Sequence, residues 1–315
     1  MQRRSLGLDT SNYTTSAAVF DSNRSGIKNC GKLLEVPRGT LGLRQSDAVF
    51  QHVRQLPKMV EALREEGLLK HLDVVGASIQ PREVENSYMP CFLVGKGQGE
   101  TMAAVLGVPF FSCSHQQGHI AAAAWSANRE DLLDVPHLAW HLSGGTTELL
   151  FVEPQGSNVK TRCIGGTTDI SAGQLVDRTG IAIGLTFPAG PAMDALAQES
   201  EQTTYFKVKR EKLSFSLSGM ENKVCQLIEK GAAKEDCARF VLETLANILL
   251  RTTQAARETY GPIPVLYSGG VASNSLLRKR LMELEPVFAT PEYATDNALG
   301  VALLALRALE KGELG

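Results

Sequence analysis

Two histidines, His115 and His119, lie four residues apart in the stretch SHQQGHIAAAAW. Residues four apart share one face of an α-helix, so both imidazoles could bind a single metal ion. In zinc proteases with the H-E-x-x-H motif, the glutamate beside the first histidine is the general base. This chain has Gln116 in that place, and an amide cannot take a proton from metal-bound water. The pattern therefore argues against a protease and leaves either a metal site or two hydrogen-bonded histidines.

The chain around this pair alternates short apolar strands with helices. Strand–turn–strand patterns occur at residues 5–21 and 136–154, and their similarity indicates a weak internal repeat. A third strand leads into Gly269 and Gly270 and then a helix. Turns of these kinds can present backbone N–H groups to phosphate. An α-helix that ends near Gly67 is predicted from the spacing of five apolar residues: Val49, Val53, Leu56, Val60 and Leu63.

This order of elements predicts an α/β fold of two actin-like (ASKHA, ribonuclease H-like) domains flanking a nucleotide and metal cleft. We expect an N-terminal domain at residues 1–124 and a C-terminal domain at 125–296. The C-terminal helix, 297–315, is expected to pack back on the N-terminal domain. A sugar or acetate kinase using ATP and magnesium fits the glycine turns, but it gives His115 and His119 no role.

Composition sets limits on compartment and partners. The 315 residues carry a formal net charge of -2, so a nucleic-acid partner would need a local basic patch. Basic residues do cluster at 207–213, although such clusters are most often solvated surface. The six cysteines form no C-x-x-C pair, and no apolar stretch is long enough to cross a membrane. A cytoplasmic protein with reduced thiols and no membrane partner is expected.

Several motifs, in their order and spacing, resemble those of the TsaD/Gcp family, which was formerly described as O-sialoglycoprotein endopeptidases. The resemblance covers nearly the whole chain. The motifs are GLDTS (7–11), HVRQLPKMVEAL (52–63), HQQGH (115–119), LSGGTTEL (142–149), VDRTGIAIGLTFPAGP (176–191), SFSLSGM (214–220), SGGVASNSLLR (268–278) and TDNA (295–298).

The resemblance implies transfer of a threonylcarbamoyl group from threonylcarbamoyl-adenylate to a tRNA adenosine next to the anticodon. It implies one divalent metal per chain, iron or zinc, and an adenine nucleotide or threonylcarbamoyl-adenylate as ligand. The implied partners are tRNA, a second actin-like paralogue and a small ATPase. No general base is implied, because positioning and charge stabilisation can supply most of the catalysis.

The resemblance also assigns the site residues. The metal ligands would be His115, His119 and Asp296. The substrate-binding residues would be Ser143, Gly144 and Gly145 at the phosphate, Asp177 and Gly190 at the nucleoside, and Asn274 at the adenosine.

Some family positions are changed in this chain. Thr146 replaces a histidine, Glu221 stands where a lysine is common, and changes also occur around Tyr13 and Arg82. These departures indicate a divergent paralogue. Two alternatives to tRNA threonylcarbamoyl transfer follow: a non-catalytic nucleotide-binding subunit of a complex, or carbamoyl transfer to a different acceptor.

Overall fold

The structure is a computed structural model that describes residues 2–11, 13–23, 27–36, 43–294 and 298–314. The chain forms two compact units. The first contains Met1–Val135, Glu153–Thr161 and Thr295–Gly315, and the second contains Pro136–Val152 and Arg162–Ala294. The predicted domain ranges, with boundaries at 124/125 and 296/297, stay predictions.

The described residues form twelve strands and nine α-helices. The strands are β1 (Arg4–Ser11), β2 (Thr14–Asp21), β3 (Lys28–Leu33), β4 (Val74–Gln80), β5 (Phe110–Ser114), β6 (His137–Leu142), β7 (Thr147–Gln155), β8 (Asn158–Thr167), β9 (Arg210–Glu211), β10 (Ser214–Phe215), β11 (Val265–Ser268) and β12 (Val287–Phe288). The helices are α1 (Gln45–Glu65), α2 (Phe92–Leu106), α3 (His115–Ser126), α4 (Ala172–Ala182), α5 (Gly190–Glu199), α6 (Gly219–Glu229), α7 (Lys234–Tyr260), α8 (Ser275–Leu281) and α9 (Leu299–Glu310).

The two sheets repeat one strand order. The first sheet runs β3-β2-β1-β4-β5, and the second contains β8-β7-β6-β11-β12 with β10 and β9 added beyond β8. In each sheet the opening pair of strands is antiparallel, as β1 with β2 and β6 with β7. Each opening strand then pairs in parallel with a later one, as β1 with β4 and β6 with β11. The predicted α/β class and the predicted internal repeat are both confirmed.

Helix α9 closes the first unit against β1 and α3. A Cβ atom on Gly7 of β1 would lie 2.6 Å from the carbonyl oxygen of Ala298, and one on Gly300 of α9 would lie 2.7 Å from the carbonyl carbon of Gly118. Backbone therefore packs on backbone here, which only glycine allows. Strands β1 and β2 are buried along almost their whole length as a result.

Helix α1 shows one departure from the predicted apolar face. Leu56 and Leu63 are buried as expected, but Val53 is half exposed. His52 and Gln55 occupy the buried face instead, because both bond to the hydroxyl of Thr15 on β2. A buried polar group is tolerated when it is hydrogen-bonded, so apolar periodicity alone misplaces this face.

None of the helices in the described ranges combines the length and the apolar character needed to cross a bilayer.

Candidate functional site

The two histidines of HQQGH lie on the first turns of α3, as their spacing predicts. Ser114, the last residue of β5, caps the helix: its hydroxyl accepts from the N–H of Gln117, and the Gln117 side chain accepts from the N–H of Ser114. This reciprocal capping box fixes the direction in which α3 begins. The Nε2 atoms of His115 and His119 then lie 2.9 Å apart.

The buried carboxylate of Asp9, at the carboxyl end of β1, holds the first histidine in place. Its Oδ1 atom lies 3.0 Å from Nδ1 of His115 and also accepts a hydrogen bond from the hydroxyl of Ser78 on β4. An ionised carboxylate only accepts, so this contact favours the tautomer of His115 that carries its proton on Nδ1. Nε2 therefore keeps its lone pair and directs it toward His119. A carboxylate behind a histidine is the usual outer support of a metal-binding imidazole.

These atoms fit two ligands of one metal ion. Nitrogens bound to a common ion at about 2.0–2.1 Å lie about 2.9 Å apart at a right angle and about 3.4 Å apart at the tetrahedral angle. The observed distance of 2.9 Å between the two Nε2 atoms matches the right-angle geometry. The tetrahedral geometry would require these atoms to move slightly farther apart. The third predicted ligand, Asp296, is outside the described residues. Within the described ranges, no group of three or more His, Cys, Asp or Glu is arranged to hold a metal ion.

Two nearby cysteines do not compete for this role. Burial, together with the charge of Asp9, raises the pKa of the Cys91 thiol to about 11. The same two causes raise the pKa of Cys113 still further, with a smaller contribution from Glu83. Only a thiolate binds a metal ion well, so both groups stay protonated and inert near neutral pH.

The predicted phosphate turn, Ser143 to Gly145, lies between β6 and β7. Within the turn, the Oγ atom of Ser143 accepts a hydrogen bond from the N–H of Thr146 at 3.0 Å. Both glycines are exposed, and a Cβ on either would meet open space. The turn abuts the start of α4, because the N–H of Gly173 donates to Ser143 at 3.3 Å. A backbone turn against a helix N-terminus is suited to an anion.

The opening residues of α4 hold this turn tightly. The Ser171 hydroxyl donates to the carbonyl of Gly144 at 2.7 Å and caps the helix with Gln174 in a second capping box. A Cβ on Gly173 would lie 2.6 Å from the carbonyl oxygen of Ser143, so glycine is required there. The position of the turn is therefore set by α4.

Asp177 and Gly190 are brought together at the junction of α4 and α5. The Oδ1 atom of Asp177, on α4, accepts from the N–H of Ala189 at 2.8 Å, and Ala189 immediately precedes Gly190, the first residue of α5. The second carboxylate oxygen can accept from a ribose hydroxyl.

Asn274 follows the glycine turn, but in a different setting from the one predicted. A 3₁₀ helix, Gly270–Ser273, separates the turn from α8, so no α-helix starts directly at the glycines. Asn274 caps α8 by accepting from the N–H of Leu277 at 3.0 Å, which leaves its amide N–H₂ as a donor. Asp194 of α5 accepts from the N–H of Ser275 at 2.9 Å and ties α5 to α8.

The six predicted substrate residues thus belong to one hydrogen-bonded group of elements in the second unit: the β6–β7 turn, α4, α5 and the start of α8. The metal pair belongs to the first unit. Whether these residues bind a ligand stays a prediction.

The four changed positions are at or near the surface. Thr146 closes the phosphate turn through its N–H. Glu221 pairs with Arg178 at 2.6 Å. The side chain of Tyr13 is 42% exposed, and Arg82 uses its backbone N–H to bond Ser87.

Sequence reasoning missed Asp9 and Ser78. Asp9 is the one charged residue inside the apolar strand SLGLDTS, and a buried carboxylate needs partners. A charged residue within an apolar strand was therefore the sequence signal that could have identified Asp9. Its partner could not be named from the sequence, because Asp9 and His115 are 106 positions apart.

Solved structures place this architecture in a class. The chain superposes on full-length HypF in its phosphate- and nucleotide-bound form with a TM-score of 0.60 at 16% identity, covering 98% of this chain and 56% of that one. It therefore spans about half of the HypF protein. The activator of 2-hydroxyisocaproyl-CoA dehydratase from Clostridium difficile, with bound ADPNP, gives 0.54 at 14% identity and covers 99% of this chain and 97% of that one. The fold is that of the actin-like ASKHA proteins.

Sequence comparison gives the family. The TsaD family, tRNA N6-adenosine threonylcarbamoyltransferase, matches residues 42–303. A protein of that name from Thermus thermophilus is 34% identical over 98% of this chain and 93% of its own length. Another from Sulfurihydrogenibium is 30% identical over 98% of this chain and 91% of its own length. The chain belongs to the TsaD family, and it is a transferase of tRNA modification.

Proposed function

We propose that this protein transfers a threonylcarbamoyl group from threonylcarbamoyl-adenylate to a tRNA adenosine next to the anticodon, and that the transfer depends on a metal ion. The family supports the reaction class. The observation that carries the metal dependence is the facing Nε2 pair of His115 and His119, supported from behind by Asp9.

The reaction is an acyl transfer. The adenosine amine forms a C–N bond to the carbamoyl carbon and releases one proton to solvent, the bond from that carbon to the phosphate oxygen breaks, and AMP leaves. The turn formed by Ser143, Gly144 and Gly145 holds the phosphate of the donor through its backbone. Asp177 and the Gly190 backbone hold the ribose, and the free amide donors of Asn274 face the adenine. These roles are positional, which suits a reaction with a good leaving group.

The metal ligands are His115, His119 and Asp296, and the ion is iron or zinc, because two imidazoles and a carboxylate suit either. When bound, the ion supplies Lewis acidity to the carbamoyl carbonyl. Asp9 keeps the proton of His115 on Nδ1, and Ser78 keeps Asp9 in the required orientation. The chain thus sets the tautomer before the ion arrives.

The protein acts in the cytoplasm with a second actin-like paralogue and a small ATPase. A helical surface for the paralogue is provided by α1, where Phe50 is 60% and Val53 is 50% exposed. Exposed apolar side chains on one helix are a common feature of protein interfaces.

The test compares the unaltered protein with His115→Ala/His119→Ala, both purified without an affinity tag. We expect about one iron or zinc per chain in the first and none in the second, by elemental analysis. Unmodified tRNA is then incubated with the donor and the partner proteins, and its nucleosides are analysed by mass spectrometry. Threonylcarbamoyladenosine should form only with the unaltered protein.

Equal transfer by the double variant would contradict metal dependence. Consumption of the donor without any modified tRNA nucleoside would instead indicate carbamoyl transfer to a different acceptor.

A further inference from the structure

A basic segment of the second unit has no role in the reaction described above. Residues 207–212 contain four cations and one acid, Glu211. Lys207, Lys209 and Lys212 are exposed. In the part of the chain that the structure describes, none of these three ammonium groups pairs with a carboxylate. Three solvated cations close together create a positive potential on a protein whose formal net charge is -2.

The fold holds this segment against α7 with its lysines at the surface. Val208, between two of the lysines, is only 2% exposed and packs into the core. The N–H of Phe206 donates to Thr244 at 2.9 Å, and Arg251 donates to the carbonyl of Val208 at 3.0 Å. Both partners are on α7. Val208 is therefore anchored in the core, while Lys207 and Lys209 on either side of it are exposed.

The chain next to the basic segment contacts helix α6. Lys223 of α6 sits over the ring of Phe206, with its Nζ 5.7 Å from the ring centroid. Two positions earlier on the same helix, Glu221 pairs with Arg178, the neighbour of Asp177. Helix α6 therefore contacts both the chain next to the lysines and α4, the helix that carries Asp177.

The same segment offers an aromatic side chain. Tyr205, two residues before Lys207, is 47% exposed. An exposed aromatic ring beside cations is typical of surfaces that bind single-stranded nucleic acid, where a base stacks on the ring. An acidic protein surface would use the lysines but would have no need of the ring.

We propose that Lys207, Lys209 and Lys212 bind the sugar–phosphate backbone of the acceptor tRNA. This inference rests on the proposed function, since it takes tRNA as the acceptor. The lysines are binding residues that touch no reacting atom.

The test measures the salt dependence of tRNA binding. Affinity of the full chain for unmodified tRNA is determined by fluorescence anisotropy at a series of KCl concentrations, with its partner proteins present. Each lost phosphate contact lowers the slope of log K against log salt by about one. For Lys207→Ala/Lys209→Ala/Lys212→Ala we expect a slope shallower by about two to three and an affinity about tenfold weaker at low salt.

The matched control is Lys70→Ala/Lys230→Ala/Lys234→Ala, which removes the same charge from three other exposed positions. It should keep the slope of the unaltered protein. Thermal unfolding of both triple variants should be unchanged, because the altered side chains are exposed and form no ion pair with any residue that the structure describes. In transfer assays, the first triple variant should raise the KM for tRNA and keep kcat.

Equal slopes for the two triple variants would overturn the proposed surface while leaving tRNA as the acceptor. Failure of the unaltered protein to bind tRNA at low salt would overturn both the surface and the acceptor. A lower kcat at saturating tRNA in the first triple variant would also contradict a role limited to binding.

Discussion

The two strand–turn–strand units of this protein share one topology but use their polar groups in opposite ways. In the β1–β2 unit the polar side chains are buried and bonded to other elements: Asp9 to His115, and Thr15 to His52. In the β6–β7 unit the polar turn is at the surface. Gly144 and Gly145 are exposed, and the Ser143 hydroxyl accepts from the N–H of Thr146 within the turn.

The difference shows how one repeated element can support two kinds of site. The first unit positions side chains, so its precision depends on close packing around β1. The second unit presents backbone groups of its turn, so the position of these groups depends on α4, which contacts the turn through Ser171 and Gly173. Substitutions should therefore damage stability in the first unit and ligand binding in the second.

The largest expected effect comes from adding one methyl group to each unit. Gly7→Ala would drive a Cβ into the backbone of α9, 2.6 Å from the Ala298 oxygen. We expect a loss of about 3 kcal/mol in the free energy of unfolding, the upper end of typical overpacking costs. Gly144→Ala meets open space, so its cost should be below about 0.5 kcal/mol.

Urea unfolding of the two variants measures this contrast, and calorimetric titration with AMP measures binding. Gly144→Ala should weaken AMP binding about tenfold, equivalent to about 1.4 kcal/mol, because the added methyl separates the ligand from the turn. Similar unfolding free energies for the two variants would show that the first unit is not more tightly packed at this point.

The next effect concerns the two buried aspartates of the β1–β2 unit, which lie at its opposite ends and are both fully buried. Asp9→Ala removes the support of His115 and should weaken metal binding about 10–100-fold. Asp21→Ala removes the partner of Arg4 and Gln2 instead, so it should lower stability and keep metal affinity. Competition with a chelator measures both.

Equal metal affinity in the Asp9 and Asp21 variants would mean that the carboxylate of Asp9 is structural only. Asp9→Asn can still accept from Nδ1, so it should lie between the unaltered protein and Asp9→Ala.

Much of the fold could be predicted from the sequence, because both repeated units carry local patterns. The alternating strands and the glycine turns are visible within short windows, and so is the spacing of His115 and His119. The predicted buried face of α1 was wrong at Val53, because His52 is buried instead through its hydrogen bond with Thr15. The start of α8 differed because a 3₁₀ helix, Gly270–Ser273, lies between the glycine turn and α8.

The candidate site was only partly predictable for a related reason. Motif positions identify Ser143, Asp177 and Asn274 one at a time, but the bonds that join them, such as Asp194 to Ser275, link distant parts of the chain. The basic segment at 207–212 is visible as a composition feature. Its outward display depends on burial of Val208, which requires the packed unit.

A smaller effect is expected from the two serines that cap site helices. Ser114 begins α3 and Ser171 begins α4, each in a capping box with a glutamine. Either serine changed to alanine should cost about 1 kcal/mol of unfolding free energy. Only Ser171→Ala should also weaken AMP binding, because Ser171 alone bonds the carbonyl of Gly144. Paired urea melts and AMP titrations measure this, and an AMP effect in Ser114→Ala would contradict it.

The smallest effect is a pH dependence confined to the first unit. Burial lowers the pKa of His52 below its ordinary value of 6.5. The unfolded chain then binds a proton that the folded chain does not, so stability is full above about pH 6.5 and falls as the pH drops toward the lower folded pKa. His52→Gln cannot titrate and should flatten this slope between pH 7.5 and about 5.5. Urea unfolding at several pH values measures it.

Thr147, at the corresponding place in the β6–β7 unit, accepts a hydrogen bond from the N–H of Ala172, and Thr147→Ser should leave the pH dependence unchanged. A slope that survives in His52→Gln would assign the titration to another group and remove this difference between the two units.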